Sequence, residues 1–180
     1  MIFKPLTTLF IIFFAFSRGD ILSAYKILLL TGLVFALIGD IFLMLPRERF
    51  VAGLVSFLIA HLFFILAFTE KHGFYWNWIY LIPVLLYFSV FINVLTKHTG
   101  KMTLPVIIYS LVILLFVWQA VSRYISYPET LVAFGMYGAI LFVLSDSLLA
   151  YDKFVKSFSW ARGVVMVLYW TALYFLALSV

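Results

Sequence analysis

Seven apolar runs, each about 15 to 22 residues long, take up nearly the whole chain, with only short polar turns between them. They read as residues 3–17, 24–45, 50–69, 78–96, 104–122, 130–150 and 159–179. A hydrocarbon core about 30 Å thick calls for about 20 apolar residues in a helix. Backbone amides cannot stay unpaired in lipid, and these runs are too long for barrel strands, so each predicts a membrane-spanning helix. The expected fold is all-α, a polytopic transmembrane bundle forming a single domain over residues 1–180. Composition agrees: 67% of residues are hydrophobic and 11% charged, against about a quarter charged in a soluble domain. The first run is the weakest. Lys4, the apolar stretch and Ala15-Phe16-Ser17 also fit a cleaved signal peptide, although Pro5 interrupts the charged region.

The net charge of +5 is spread through the turns, where it reads as a topology signal and not as a nucleic-acid patch. Lys4, Arg47, Arg49, Lys97, Lys101, Lys153, Lys156 and Arg162 fall on one side of the membrane, and Arg18, Lys26, Lys71 and Arg123 on the other. That asymmetry predicts a cytoplasmic N-terminus and an outward C-terminus, in the cell membrane. The chain has no cysteine, which excludes disulfides, thiolate metal sites and cysteine nucleophiles.

Two aspartates interrupt the apolar pattern in matching frames, Gly32 to Asp40 and Gly138 to Asp146. In both, a glycine precedes the acid by eight residues and a short stretch leads on to a phenylalanine, Phe50 or Phe154. The frames lie on the second and sixth spans, which run in the same direction, as a parallel internal repeat would. A carboxylate at membrane depth costs about 2.5–3.5 kcal/mol on insertion scales, so two in one setting predict a shared polar site. Both are placed four or five residues from the cytoplasmic ends of their spans. Gly32, Ala36 and Asp40 share one small-residue face, which turns the acid into the bundle. The plainer alternative is that each aspartate only bonds a neighbouring helix.

Other polar residues carry weaker signals. His61 sits near the middle of the third span, where a lone histidine is as readily a packing residue as a functional one. His72 and His98 fall in loops on opposite sides, so a three-histidine zinc site cannot assemble. No cofactor is expected, and an ion bridging the two aspartates stays open. Ser145 lacks a histidine at the spacing of a serine triad. Asn93, Gln119 and Ser56 are expected to bond between helices. Pro83 and Pro105 read as first-turn prolines. Arg47, Arg49, Lys153 and Lys156 follow the aspartate helices and suit an anionic head group.

The strings Lys4-Pro-Leu-Thr-Thr8, Gly39-Asp40-Ile-Phe-Leu-Met44, Phe50-Val-Ala-Gly53 with Ala60-His61, and Ser145-Asp146-Ser-Leu-Leu-Ala150 with Lys153-Phe154 occur in that order over nearly the whole chain. The set resembles the YhhN-type lysoplasmalogenase family. The resemblance implies a multi-pass hydrolase that cleaves the vinyl ether bond of lysoplasmalogen, releasing a fatty aldehyde and a glycerophospho-base. It implies a lysophospholipid substrate in membrane lipid, and functional roles for Lys4, Asp40, His61 and Asp146. There are two departures. The family pattern has eight spans, with one more helix before the Lys-Pro motif, and it has a glutamine near the position of Leu173.

Vinyl ether hydrolysis needs a proton delivered to carbon and water to capture the oxocarbenium ion. Two carboxyl groups sharing one proton divide that work as glycosidase carboxyls do. Asp40 and Asp146 are the expected pair, with His61 orienting the water or tuning the pair, and Ser145 contacting substrate. Lys4, level with the two acids, is read as an interfacial anchor, as a partner for a carboxylate, or as a contact for the substrate phosphate. The rivals are a proton-coupled transporter using the same carboxylates and a non-catalytic membrane scaffold.

Overall fold

The computed structural model describes residues 3–20, 22–45 and 49–180. Seven α-helices follow one another: α1 (Phe3–Phe16), α2 (Ala24–Met44), α3 (Phe50–Thr69), α4 (Trp78–Thr96), α5 (Thr103–Ser126), α6 (Thr130–Phe154) and α7 (Ala161–Leu178). A single 3-10 turn, Gly100–Met102, leads into α5. Six of these helices are long and apolar enough to cross a membrane, so the protein is a multi-pass helical bundle. With 14 residues, or about 21 Å, α1 is shorter than a bilayer core.

The helices close into a ring. α1 packs on α2, α2 on α3, α3 on α5, α5 on α6, α6 on α7, and α7 returns to α1. The tightest neighbours are the two hairpins α2–α3 and α6–α7, each built on an aspartate-bearing helix. Close approach explains the matched glycines. A Cβ on Gly32 would lie 2.4 Å from the ring of Phe64, and one on Gly138 would lie 3.0 Å from the carbonyl of Ala172. Phe57, Phe64, Phe116, Phe142 and Leu173 fill the middle of the ring. The frames also converge at their ends, where Phe50 and Phe154 meet edge to face at 5.7 Å.

Outside the ring α4 leans on α5 and, sparingly, on α6. Leu95 is its one fully buried residue, so most of its surface is left for lipid.

Several local expectations need correction. α5 and α6 each continue four residues past their expected ends. α6 stops where Asp152 accepts hydrogen bonds from Ser157 Oγ (3.2 Å) and the Phe158 amide (3.1 Å). Asp146 therefore sits eight residues, about 12 Å, before its helix end, while Asp40 sits four residues, about 6 Å, before the end of α2. Pro83 lies in the second turn of α4, not the first, because Trp78 opens that helix. Of the expected interhelical polar links only Gln119 reaches outside its helix. It brackets Tyr75 by accepting from its amide (2.9 Å) and donating to its carbonyl (3.1 Å), which pins the α3–α4 connection. Asn93 and Ser56 bond carbonyls one turn back in their own helices. Lys26, counted above among the topology charges, is fully buried and donates to the Phe16 carbonyl (2.8 Å) and the Arg18 carbonyl. It satisfies the C-terminal carbonyls of α1, where a cation is favoured.

Candidate active site

The first two turns of α1 serve Asp40. Lys4 and Thr8 are one turn apart and so share a face. Lys4 Nζ lies 2.9 Å from Asp40 Oδ1. Thr8 Oγ1 donates to Asp40 Oδ2 at 2.6 Å, and Tyr169 on α7 donates to the same oxygen at 3.0 Å. The ammonium also rests over the rings of Tyr169 (4.7 Å) and Phe57 (5.5 Å). Asp40 is 0% exposed and Lys4 13%. The ammonium and the two hydroxyl donors all favour the ionised form of this carboxyl, against the cost of its burial.

Asp146 has different surroundings. Among the described residues one side chain donates to it, the phenol of Tyr109 on α5. Asp146 lines a cavity of about 280 Å³, open on one side, whose walls come from α3, α4, α5 and α6 with Leu43 of α2. The walls are nearly all apolar, and Tyr87, Tyr109, Ser110 and Ser147 are the polar side chains beside Asp146. Asp40 does not reach this space. Phe57, Phe142 and Tyr169, the last a donor to Asp40, pack edge to face on one another at 5.5 to 6.2 Å between centroids. The two acids are thus brought into one region, and Asp146 feels the charges of both Lys4 and Asp40. No hydrogen bond joins them among the described residues. The two acids have unequal partners, because Asp146 on α6 meets Tyr109 of α5 while Asp40 on α2 meets Lys4 and Thr8 of α1 and Tyr169 of α7.

His61 is fully buried and does not line the cavity. Its Nδ1 lies 2.7 Å from the Phe57 carbonyl, which can only accept, so Nδ1 carries the hydrogen. Among the described residues Nε2 has no hydrogen-bond partner. The ring packs edge-on against Phe142 (4.5 Å), Phe116 (5.2 Å) and Tyr109 (5.6 Å). It stands behind the phenol that holds Asp146.

Ser145 turns away from the cavity and donates to the Val165 carbonyl at 3.0 Å, tying α6 to α7. Leu173 is buried in the core, and Tyr169, one turn earlier on the same face, supplies the polar contact of α7. Arg49, Lys153 and Lys156 are exposed at the end of the bundle where Phe50 meets Phe154, and Lys153 Nζ stacks on the Phe50 ring at 4.3 Å. Arg47 lies outside the described residues. Among the described residues no three of His, Asp and Glu gather as a metal-binding set.

The YhhN family matches residues 1–180 of this sequence. The chain belongs to the YhhN family. It is 31% identical over 161 residues to the human protein named lysoplasmalogenase TMEM86B, covering 87% of this chain and 65% of that one. It is 30% identical to bovine lysoplasmalogenase TMEM86A, over 97% of this chain and 74% of the relative. An Escherichia coli membrane protein named YhhN, described as uncharacterized, is 24% identical over 81% of this chain and 69% of its own length. The chain thus spans about two thirds to three quarters of the relatives it matches. No solved structure matches it.

Three residues of this candidate site escaped the sequence reading. Thr8 was legible, since it closes the Lys4-Pro-Leu-Thr-Thr8 string one turn from Lys4. Tyr109 and Tyr169 carried no signal of their own among 11 tyrosines, because a tyrosine in an apolar helix is ordinarily read as packing or interfacial belt.

Proposed function

We propose that this protein is an integral-membrane hydrolase that cleaves the vinyl ether bond of a lysoplasmalogen, with Asp146 as its general acid. The observation that carries the reading is that Asp146, and not Asp40, opens on an apolar cavity. The alkenyl chain lies along the walls, which brings the vinyl ether beside the carboxyl group. Asp146 delivers its proton to the vinyl carbon beta to oxygen, and the resulting oxocarbenium ion is stabilised by the carboxylate left behind. Water adds to that ion and returns a proton to Asp146. The hemiacetal then breaks its carbon–oxygen bond to glycerol, giving a fatty aldehyde and a glycerophospho-base with one water consumed. One carboxyl thus serves as acid and then as base.

Tyr109 stabilises the carboxylate as it forms, since hydrogen bonds to charged groups exceed those to neutral ones. His61 is a positioning residue that holds the Tyr109 ring. Asp40 and Lys4 form a fixed ion pair that anchors α1 to α2 and α7. The head group meets the exposed Lys156 and Arg49, with Lys153 beside them over the Phe50 ring. Positive-inside bias puts that end of the bundle in the cytoplasm.

The test is purified protein in detergent, given a vinyl-ether lysophospholipid and its saturated alkyl-ether counterpart, with aldehyde quantified. Release from the vinyl ether alone supports the reading. No aldehyde, or equal cleavage of both lipids, refutes it.

A further inference from the structure

A hydroxyl inside a membrane-spanning helix ordinarily donates to the carbonyl one turn back. Thr31, Ser56, Thr96 and Thr171 all do so. Ser110 does not. Among the described residues its Oγ has no hydrogen-bond partner. Ser122 is unbonded too, but it is packed at 0% exposure, whereas Ser110 is partly exposed and lines the cavity that holds Asp146. Val106 and Leu114, one turn before and one turn after it, line the same cavity, so Ser110 sits in the middle of the face that α5 turns to it. The other polar side chains of the cavity are already matched, Tyr109 donating to Asp146 and Tyr87 to Ser147. Depth agrees as well. Ser110 lies seven residues, about 10.5 Å, after the start of α5 at Thr103, and Asp146 eight residues, about 12 Å, before the end of α6 at Phe154. The Tyr109–Asp146 hydrogen bond holds the two helices in that register, so Ser110 and Asp146 stand at nearly one level.

From this arrangement we infer that Ser110 is a substrate-binding residue, which hydrogen-bonds the free hydroxyl on the central glycerol carbon of the lysophospholipid. The inference rests on the hydrolase reading for the identity of the lipid. Such a lipid carries a charged head group, an ether oxygen and this one hydroxyl. The head group belongs to the basic end of the bundle, at Lys156 and Arg49. The ether oxygen is a poor partner for a donor, because its lone pair is what stabilises the oxocarbenium ion. The hydroxyl remains. It is five bonds from the vinyl carbon that receives the proton, a reach of up to about 6 Å. One bound molecule therefore presents that carbon to Asp146 and its hydroxyl to the neighbouring helix at the same depth. Once lipid displaces water from an apolar space, an unmatched hydroxyl on either side is costly, and here each supplies what the other lacks. The contact is the same before and during the chemical step, so it acts on KM and not on kcat.

The test is a cycle in which the hydroxyl is removed from the protein, from the lipid, and from both. Purified parent and Ser110→Ala are each given a lysoplasmalogen and its 2-deoxy analogue, with the same head group and chain, and aldehyde release is followed. The parent is expected to prefer the hydroxyl-bearing lipid about tenfold in kcat/KM, through KM. Ser110→Ala is expected to treat the two lipids alike to within about twofold, and to match the parent on the 2-deoxy lipid. A variant that keeps the parent's preference overturns the proposal. So does a fall in kcat of equal size on both lipids, which would place Ser110 on the attacking water instead. Should Ser110→Ala fail to fold, the parent alone decides, since a preference under about twofold overturns the contact. The same cycle is run on binding, with the saturated alkyl-ether lysophospholipid and its 2-deoxy counterpart. Parent protein that discriminates in binding through Ser110 but releases no aldehyde supports the contact and removes the hydrolase reading. Aldehyde release without discrimination keeps the hydrolase reading and removes the contact.

Discussion

Replacing Lys4 by methionine tests the electrostatic half of the site. The substitution keeps the apolar stem and removes the charge that sits 2.9 Å from a carboxylate with no exposed surface. Breaking one side of a buried pair typically costs about 3–5 kcal/mol. An upper bound follows from proton uptake. The stranded carboxyl can accept a proton on Oδ1 while Thr8 and Tyr169 still donate to Oδ2. Protonating an ordinary carboxyl of pKa about 3.9 at about pH 7 costs about 4 kcal/mol, so the loss should not exceed that. The folded variant then binds one proton more than its unfolded state, and its deficit shrinks as pH falls, to about 1.5 kcal/mol at about pH 5. Lys4→Met/Asp40→Asn removes both charges and should return to within about 1 kcal/mol of the parent. Equilibrium unfolding in mixed detergent at the two pH values, with all three proteins, gives the cycle. A neutral-pH loss under about 1 kcal/mol for Lys4→Met, or a deficit independent of pH, would falsify the ion-pair account.

Tyr109→Phe removes the donor to Asp146 and should lower kcat about 10- to 100-fold with little change in KM, measured as aldehyde release; an unchanged kcat contradicts its role. His61→Phe keeps an aromatic ring behind Tyr109, so activity should stay within about tenfold of the parent. Complete inactivity in a folded His61→Phe protein would mean that the imidazole itself takes part. Gly32→Ala sets a Cβ 2.4 Å from the Phe64 ring and should destabilise the bundle by about 1–3 kcal/mol; a neutral result would show that α2 and α3 part more easily than their packing suggests.

The number and order of helices were legible because lipid imposes one rule on every span, length and apolarity, and the sequence states both. Boundaries were less so. α6 was expected to stop at Ala150, yet Tyr151 to Phe154 continue it, since the stop is set by Asp152 reaching forward to Ser157 and Phe158 and not by any local drop in apolarity. The site was half legible. Matched frames brought Asp40 and Asp146 to notice, and the Lys4–Thr8 string contained the partners of Asp40. Rotation was the missing quantity. A helix that is apolar all round does not show which face its one acid turns to a neighbour, so two similar frames gave no hint that one carboxylate would be sealed by an ammonium and the other left facing a cavity. The same blindness sent Ser145 toward the substrate on paper, whereas it faces α7. Leu173, where the family pattern has a glutamine, is buried in the core, and one turn earlier Tyr169 bonds Asp40.

The central claim is that Asp146 puts a solvent-derived proton on the vinyl carbon. Turnover of a vinyl-ether lysophospholipid in heavy water, with the aldehyde trapped by rapid reduction, reads that step directly. The parent protein should yield product carrying one deuterium on the carbon next to the former aldehyde carbon, while folded Asp146→Asn should form it more than about a hundredfold more slowly. Product without that deuterium, or Asp146→Asn turning over at nearly the parent rate, would contradict the account.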